Sequence, residues 1–264
     1  MTRRAVVLAA AILIAPVVAE ARPLRVMSLD QCADQYVLAL APGAEMALSP
    51  RADDPDAWMR AAAAEHPRVR PTLEAAIAFQ PDVVVRYWGG EPRLLARLAA
   101  DGVRVLTIED ATDFEGVRAD VRTVARGLDA VARGEALIAG MDRKLAAAPV
   151  RGAVRPRALY LTAGGFTAGP GTLIDAILTA AGFVNATEAA SFAPVSIERI
   201  VLFPPARFVL GFFDQARMDW RGAGRHPVLR RIARGRVAAR LPAATLTCPG
   251  WFAADAAAML KAGA

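Results

Sequence analysis

A fourteen-residue stretch occurs twice in the chain, and nothing else in the sequence limits the fold as sharply. The first copy, TLEAAIAFQPDVVV, runs from Thr72 to Val85; the second, SIERIVLFPPARFV, runs from Ser196 to Val209. Superposed, they match at the hydroxyl (Thr72, Ser196), the carboxylate (Glu74, Glu198), an aliphatic (Ile77, Val201), the aromatic (Phe79, Phe203) and the proline (Pro81, Pro205). Each copy spells a hydroxyl N-cap, a short helix with glutamate in its first turn, a proline stop and an apolar strand. Duplication of such a unit predicts two similar lobes, each presenting one carboxylate at a helix start. Two-lobed chains commonly bind a ligand between the lobes.

The flanks of the repeats complete an α/β pattern. Strands are predicted at Arg25–Leu29, Met46–Leu48, Val83–Val85 and Val103–Ile108, with helices at Ala33–Leu40 and Pro92–Ala100 between them. A second series starts at Ala158 and holds a helix over Leu173–Ala181, strands at Phe208–Leu210 and Val237–Leu241, and helices at Val228–Ala233 and Ala253–Ala262. From Phe114 to Ala148, apolar residues recur at three- and four-residue steps, which predicts one long amphipathic helix, with Gly127 and Gly134 inside it. The expected organisation is therefore α/β, with two Rossmann-like lobes of mostly parallel sheet joined by one long α-helix. Residues 22–112 form the N-terminal lobe, 113–149 the connecting helix and 150–264 the C-terminal lobe. A helical connector should restrict interlobe motion.

Residues 1–21 read as a secretory signal peptide: Arg3 and Arg4, an apolar run from Ala5 to Val18, then Ala19-Glu20-Ala21 ahead of cleavage before Arg22. The run is too short, and too interrupted by Pro16, for a membrane anchor. Export predicts a soluble mature chain. The net charge of +6 comes almost wholly from arginine, Lys144 and Lys261 being the only lysines. Arginines concentrate only between Arg225 and Arg240, without interleaved aromatics, which reads as a solvated helix face and not a nucleic-acid surface. The two cysteines, Cys32 and Cys248, favour a disulfide in an oxidising compartment; free thiols are the alternative.

RVMSLDQCADQYVLAL, LSPRADDP, TLEAAIAFQPDVVVRYWGG, GGFTAGPGTLIDAILTAAGFVN, SIERIVLFPPARFVL, HPVLRRIARGRV and CPGWF follow one another in an order that resembles the periplasmic binding proteins of iron-siderophore and vitamin B12 importers. The third segment is nearest to cobalamin-binding members. The opening helix departs from the family in carrying Ala33-Asp34 where Thr-Glu is customary. The resemblance implies a monomeric periplasmic receptor that captures a metal chelate (a corrinoid, a ferric siderophore or haem) and delivers it to an ABC permease–ATPase complex. It implies that Glu74 and Glu198 dock onto the permease. Ligand contacts are expected from Arg86, Tyr87 and Trp88, with Arg51 and Asp30, on the N-terminal lobe. On the C-terminal lobe they are expected from Gly165, Phe166, Phe212, Phe213, Trp251 and Phe252. Aromatic side chains suit a broad chelate because they offer large area with few rotamers to freeze; Arg86 suits an anionic or amide edge. A Cys32–Cys248 bond would bridge the lobes and limit closure.

The residue inventory argues against an enzyme or a bare-metal receptor. His66 and His226 are the only histidines, each precedes proline, and neither sits in a triad or metal-ligand pattern. GGFTAGPGT lacks the Gly-Lys-Ser/Thr of a phosphate loop. No cofactor or metal of its own is expected. A receptor that feeds a periplasmic sensor instead of a transporter is the remaining alternative.

Overall fold

A computed structural model of the chain describes residues 22–146, 155–215 and 221–263. The signal-peptide expectation falls outside these residues. In chain order the N-terminal lobe holds β1 (Arg25–Ser28), α1 (Gln31–Leu40), β2 (Glu45–Ala47), α2 (Arg60–Ala63), α3 (Leu73–Phe79), β3 (Val83–Arg86), α4 (Pro92–Ala100), β4 (Arg104–Thr107) and α5 (Phe114–Gly127). Helix α6 (Val131–Ala146) follows. The C-terminal lobe holds β5 (Arg157–Thr162), β6 (Phe166–Ala168), α7 (Leu173–Ala180), β7 (Val184–Asn185), β8 (Phe192–Pro194), α8 (Ile197–Leu202), β9 (Arg207–Gly211), α9 (Pro227–Ala233), β10 (Val237–Leu241) and α10 (Ala253–Ala262).

Each lobe is built on a four-stranded, all-parallel sheet, ordered β2-β1-β3-β4 in the first and β10-β9-β5-β7 in the second. Parallel strands covered on both faces need apolar residues at successive positions, and Val83-Val84-Val85 supplies them. Val83 and Val85 enter the cluster shared with α1 and α5, while Val84 turns to α3 and α4. In β5 and β9 the same alternation sends Tyr160 and Val209 one way, and Leu159, Leu161, Phe208 and Leu210 the other. The antiparallel pair β6–β8 in the C-terminal lobe was not legible in the sequence.

The two repeat copies fold alike. Thr72 and Ser196 are extended N-caps whose hydroxyls accept from Ala75 N at 3.2 Å and Arg199 N at 3.0 Å. Ala76 and Ile200, at equivalent positions, are buried. β3 and β9 begin at equivalent positions too, Val83 and Arg207.

The helical segment expected as one piece is two helices. α5 ends at Gly127, and Asp129 reverses the chain with a left-handed φ of 55°. α6 then runs back along α5: Arg118 pairs with Asp142 (2.6 Å) and Arg122 with Glu135 (2.8 Å), the spacing of an antiparallel helical hairpin. The apolar spacing continues across the reversal because both helices bury a face against one core, and that continuity is what hid the break. α5 packs on β4 and α1 and belongs to the N-terminal lobe. α6, about 24 Å long at 1.5 Å per residue, is the connector; its far end holds Asp255 of α10 through Lys144 at 2.7 Å. The joining helix thus starts at Val131, not at residue 113.

One core runs beneath both lobes, joining Tyr36, Val121 and Met141 to Tyr160, Ile177, Trp251 and Leu260. Cys32 and Cys248 are disulfide-bonded with Cα atoms 5.4 Å apart. Beside them, Tyr36 Oη donates to Pro249 O at 2.8 Å, and Asp56 accepts from Gln31 at 2.9 Å and from Thr247 at 3.2 Å. The bond therefore bridges the lobes.

Candidate interlobe site

Strand polarity locates the site. In an open parallel sheet, ligands bind beyond the carboxyl ends of the strands where the strand order reverses. That point lies between β1 and β3 in one lobe and between β5 and β9 in the other. The disulfide joins the start of α1, just after β1, to the loop after β10. The carboxyl edges of both sheets therefore flank the same junction. A concavity of about 1420 Å³ beneath α8 opens at the amino ends of β5 and β9 and extends along the β6–β8 pair to Thr167 and Pro194.

Five turns lie at these carboxyl ends, after β1, β2, β3, β5 and β9. After β1, Asp30 is buried and both its oxygens are occupied. Oδ1 accepts from Cys32 N and Ala33 N, each 3.0 Å, capping α1; Oδ2 accepts from Tyr87 N at 2.7 Å and Gly89 N at 2.8 Å, 57 and 59 positions away. Asp30 is thus a clamp on the β3 turn, not a free ligand contact as expected. The clamp needs glycine at 89, where a Cβ would fall 2.4 Å from Leu29 O. It carries Trp88, 58 % exposed, at the edge. Arg86 Nε donates to Gly89 O at 2.6 Å, bracing the same turn. Tyr87 Oη donates to Asp110 at 2.8 Å; burial, then that hydrogen bond and the Asp110 charge, raise its phenol above the ordinary range, so it stays neutral. Arg51, after β2, is exposed and pairs with Asp54 at 2.7 Å.

On the C-terminal lobe, Phe166 is 48 % exposed on β6. Gly165 is buried, with φ of 90°, and a Cβ there would fall 2.6 Å from Ala223 Cβ; it forms the turn and offers no surface. Phe212, directly after β9, adopts a left-handed φ of 63° and is half-buried. An aromatic residue in that region is strained, by roughly 1–2 kcal/mol, and such strain gathers at ligand-contacting positions. Phe213 points to the other face and packs on the layer beneath α8 and α9, with the Arg225 guanidinium 5.1 Å from its ring centre. Trp251 (7 % exposed) and Phe252 (1 %) are core residues: Trp251 meets Tyr36 edge-on at 5.4 Å and Phe252 stacks on Trp58 at 5.4 Å. Their adjoining Pro-Gly turn suggested exposure, but α1 and Trp58 cover them. The accessible set at the edge is therefore Arg51, Arg86, Tyr87, Trp88, Phe166 and Phe212.

Sequence reasoning missed Asp34. Its carboxylate accepts from the hydroxyl of Ser28, from Ser49 Oγ at 2.6 Å and from Ser49 N at 2.8 Å, tying the turn after β2 to β1 and α1. Burial raises its pKa to about 6 against the lowering effect of these bonds. The Ala33-Asp34 departure from the family pattern was the available signal. Glu74 and Glu198 are exposed in the first turns of α3 and α8, and bonding to their own backbone N–H groups, then to Thr72 and Ser196, lowers both. Among the described residues, no three His, Cys, Asp or Glu side chains converge as metal ligands, and no helix is long and apolar enough to cross a membrane.

Residues 49–244 match the model of a family described as periplasmic binding protein. The chain belongs to the periplasmic binding protein family. A cobalamin-binding protein of Halobacterium salinarum is 31 % identical over 147 residues, 53 % of this chain and 40 % of that protein's length. The match thus spans less than half of the curated relative. The periplasmic haem-binding protein BhuT, solved with two haems, is 26 % identical, with a TM-score of 0.68 over 90 % of this chain and 97 % of that one. The vitamin B12-binding protein BtuF of Vibrio cholerae shares the fold at 19 % identity, with a TM-score of 0.61 over 91 % and 96 % of the two chains. These relatives are binding proteins, and their two-lobed class is the class this binding protein adopts.

Proposed function

We propose that this binding protein is the periplasmic receptor of an ABC importer, capturing a metal chelate between its lobes and handing it to a membrane permease–ATPase. One observation carries the reading: both sheets direct the turns of their reversal points, with Trp88, Phe166 and Phe212 accessible, to the same covalently tied junction. Broad aromatic faces bracket a flat or macrocyclic ligand, while Arg51 and Arg86 meet its anionic or amide rim. The similarities to cobalamin- and haem-binding proteins support a corrinoid or another chelate of that size. The chelate brings its own metal ligands, and the receptor performs no chemistry on it. Because the lobes share one core and a disulfide, capture involves small movements of the turns and not wide hinge closure.

Equilibrium dialysis of the purified protein against cyanocobalamin, hemin and ferric siderophores, read by chelate absorbance, tests this. One class binds with one-to-one stoichiometry, and Phe212→Ala weakens it at least about tenfold. Saturable binding of none of the three, or binding untouched by Phe212→Ala and Trp88→Ala together, overturns the assignment.

A further inference from the structure

A second cavity lies on the outer face of the C-terminal lobe, beneath α9 and beside the edge strand β10, and encloses about 460 Å³. Its floor includes Leu210 and Phe213; Arg225, Arg230, Arg234 and Arg240 line it, and among the described residues no carboxylate does. That volume falls within the range of small-molecule sites. The four arginines come from three separate elements, so their convergence is a product of the fold and not of helix spacing.

Among the described residues some arginines are ion-paired, while Arg230, Arg234 and Arg240, like Arg93 and Arg133, are not. Arg51, Arg97 and Arg122 each meet a carboxylate at 2.7–2.8 Å. Arg225 donates to the carbonyls of Phe213 and Gln215. The sequence from Trp220 to Ala254 holds seven arginines and no aspartate or glutamate. The α9 dipole accounts for cations in its last turn, but not for Arg240 on the neighbouring strand. The exposed guanidinium groups of Arg230, Arg234 and Arg240 around a partly apolar concavity raise the local positive potential, which a bound anion lowers. A carboxylate satisfies one planar fork; a tetrahedral phosphate presents three or four acceptor oxygens and up to two charges, which matches several forks at once.

We propose that this pocket binds an oxyanion of the phosphate class, either free in solution or as a lipid headgroup. It is separate from the interlobe site, since its lining shares no residue with Arg51, Arg86, Tyr87, Trp88, Phe166 and Phe212. The test uses the purified protein at fixed ionic strength, because exposed charges are screened by salt. One arm titrates inorganic phosphate calorimetrically; the other measures flotation with phosphatidylglycerol–phosphatidylcholine vesicles against phosphatidylcholine alone. Binding in the first arm alone assigns a soluble anion, and binding in the vesicle arm assigns a headgroup; either supports the proposal. Arg230→Gln/Arg234→Gln/Arg240→Gln should weaken the bound probe by at least about a hundredfold, and Arg240→Gln alone by about tenfold. Arg93→Gln/Arg133→Gln, which removes two exposed arginines elsewhere, should leave it unchanged, and chelate binding should survive in all variants. Absence of binding in both arms, or equal losses in the two multiple variants, overturns the proposal.

Discussion

Asp30→Asn tests the link between the sheet and the site at a single atom. Asp30 Oδ1 holds the amides of Cys32 and Ala33 in the first turn of α1, and Oδ2 holds the amides of Tyr87 and Gly89. Asparagine keeps the shape but turns one acceptor oxygen into an NH2 group. Whichever way the amide is oriented, two buried N–H groups then face a donor. Hydrogen bonds to a charged acceptor contribute about 1.5–3 kcal/mol each, so losing two costs about 3–6 kcal/mol. Orientation decides which pair is lost. Sacrificing the helix cap costs about 0.5–2 kcal/mol on its own scale, and sacrificing the Tyr87 and Gly89 bonds frees the Trp88 turn. Urea denaturation gives the stability loss, and amide hydrogen exchange at Cys32, Ala33, Tyr87 and Gly89 shows which pair opened. The expected result is a loss near 3 kcal/mol with faster exchange at one of the two pairs. A loss below about 1 kcal/mol with unchanged exchange at all four amides would refute the clamp.

Three further outcomes follow from the same geometry. Replacing both Cys32 and Cys248 with alanine opens a bridge spanning 216 positions, which loop-closure entropy values at about 5 kcal/mol or less. Denaturation should register a loss of that order, while chelate affinity shifts less than about tenfold, since Tyr36–Pro249 and Asp56–Thr247 still join the lobes. Asp34 has a folded pKa of about 6 against an ordinary 3.8, so the folded state binds its proton more tightly than the unfolded one. Stability must then fall as pH rises from about 4 to about 6. Burial raises Asp120 to about 6 as well, so Asp34→Asn should reduce the slope in this interval without abolishing it and gain on the order of 2 kcal/mol at pH 7.5; an unchanged pH profile would count against the buried-carboxylate reading. Glu74→Arg or Glu198→Arg should abolish chelate uptake in cells while dialysis shows unchanged affinity; uptake that survives both would remove the docking role.

Local patterns carried most of the fold into the sequence. The two repeats predicted helix, stop and strand in both lobes because N-caps, prolines and apolar runs act within a few residues. Information that depends on distant pairing was not legible. Asp30 was read as a ligand contact because its partners at Tyr87 and Gly89 lie across β1 and β3 in space. Trp251 and Phe252 looked exposed beside Pro249-Gly250 until Tyr36 and Trp58 were placed over them. Phe213 was read as a cleft residue, but it packs on the layer beneath α8 and α9, a contact set by distant elements that its sequence neighbours do not reveal. The reversal at Asp129 was masked for a related reason, since two antiparallel helices burying faces in one core repeat the spacing of a single helix.

A chelate held between the lobes sits against the Trp88 turn. Tryptophan emission, titrated with cyanocobalamin, hemin and a ferric siderophore under inner-filter correction, tests it most directly when the intact protein is compared with Trp88→Phe. Saturable quenching by one chelate class is expected, with an amplitude that drops sharply in the variant, because the three remaining tryptophans include Trp251 in the core. Quenching of equal amplitude in both proteins, or no saturable quenching by any chelate, would contradict it.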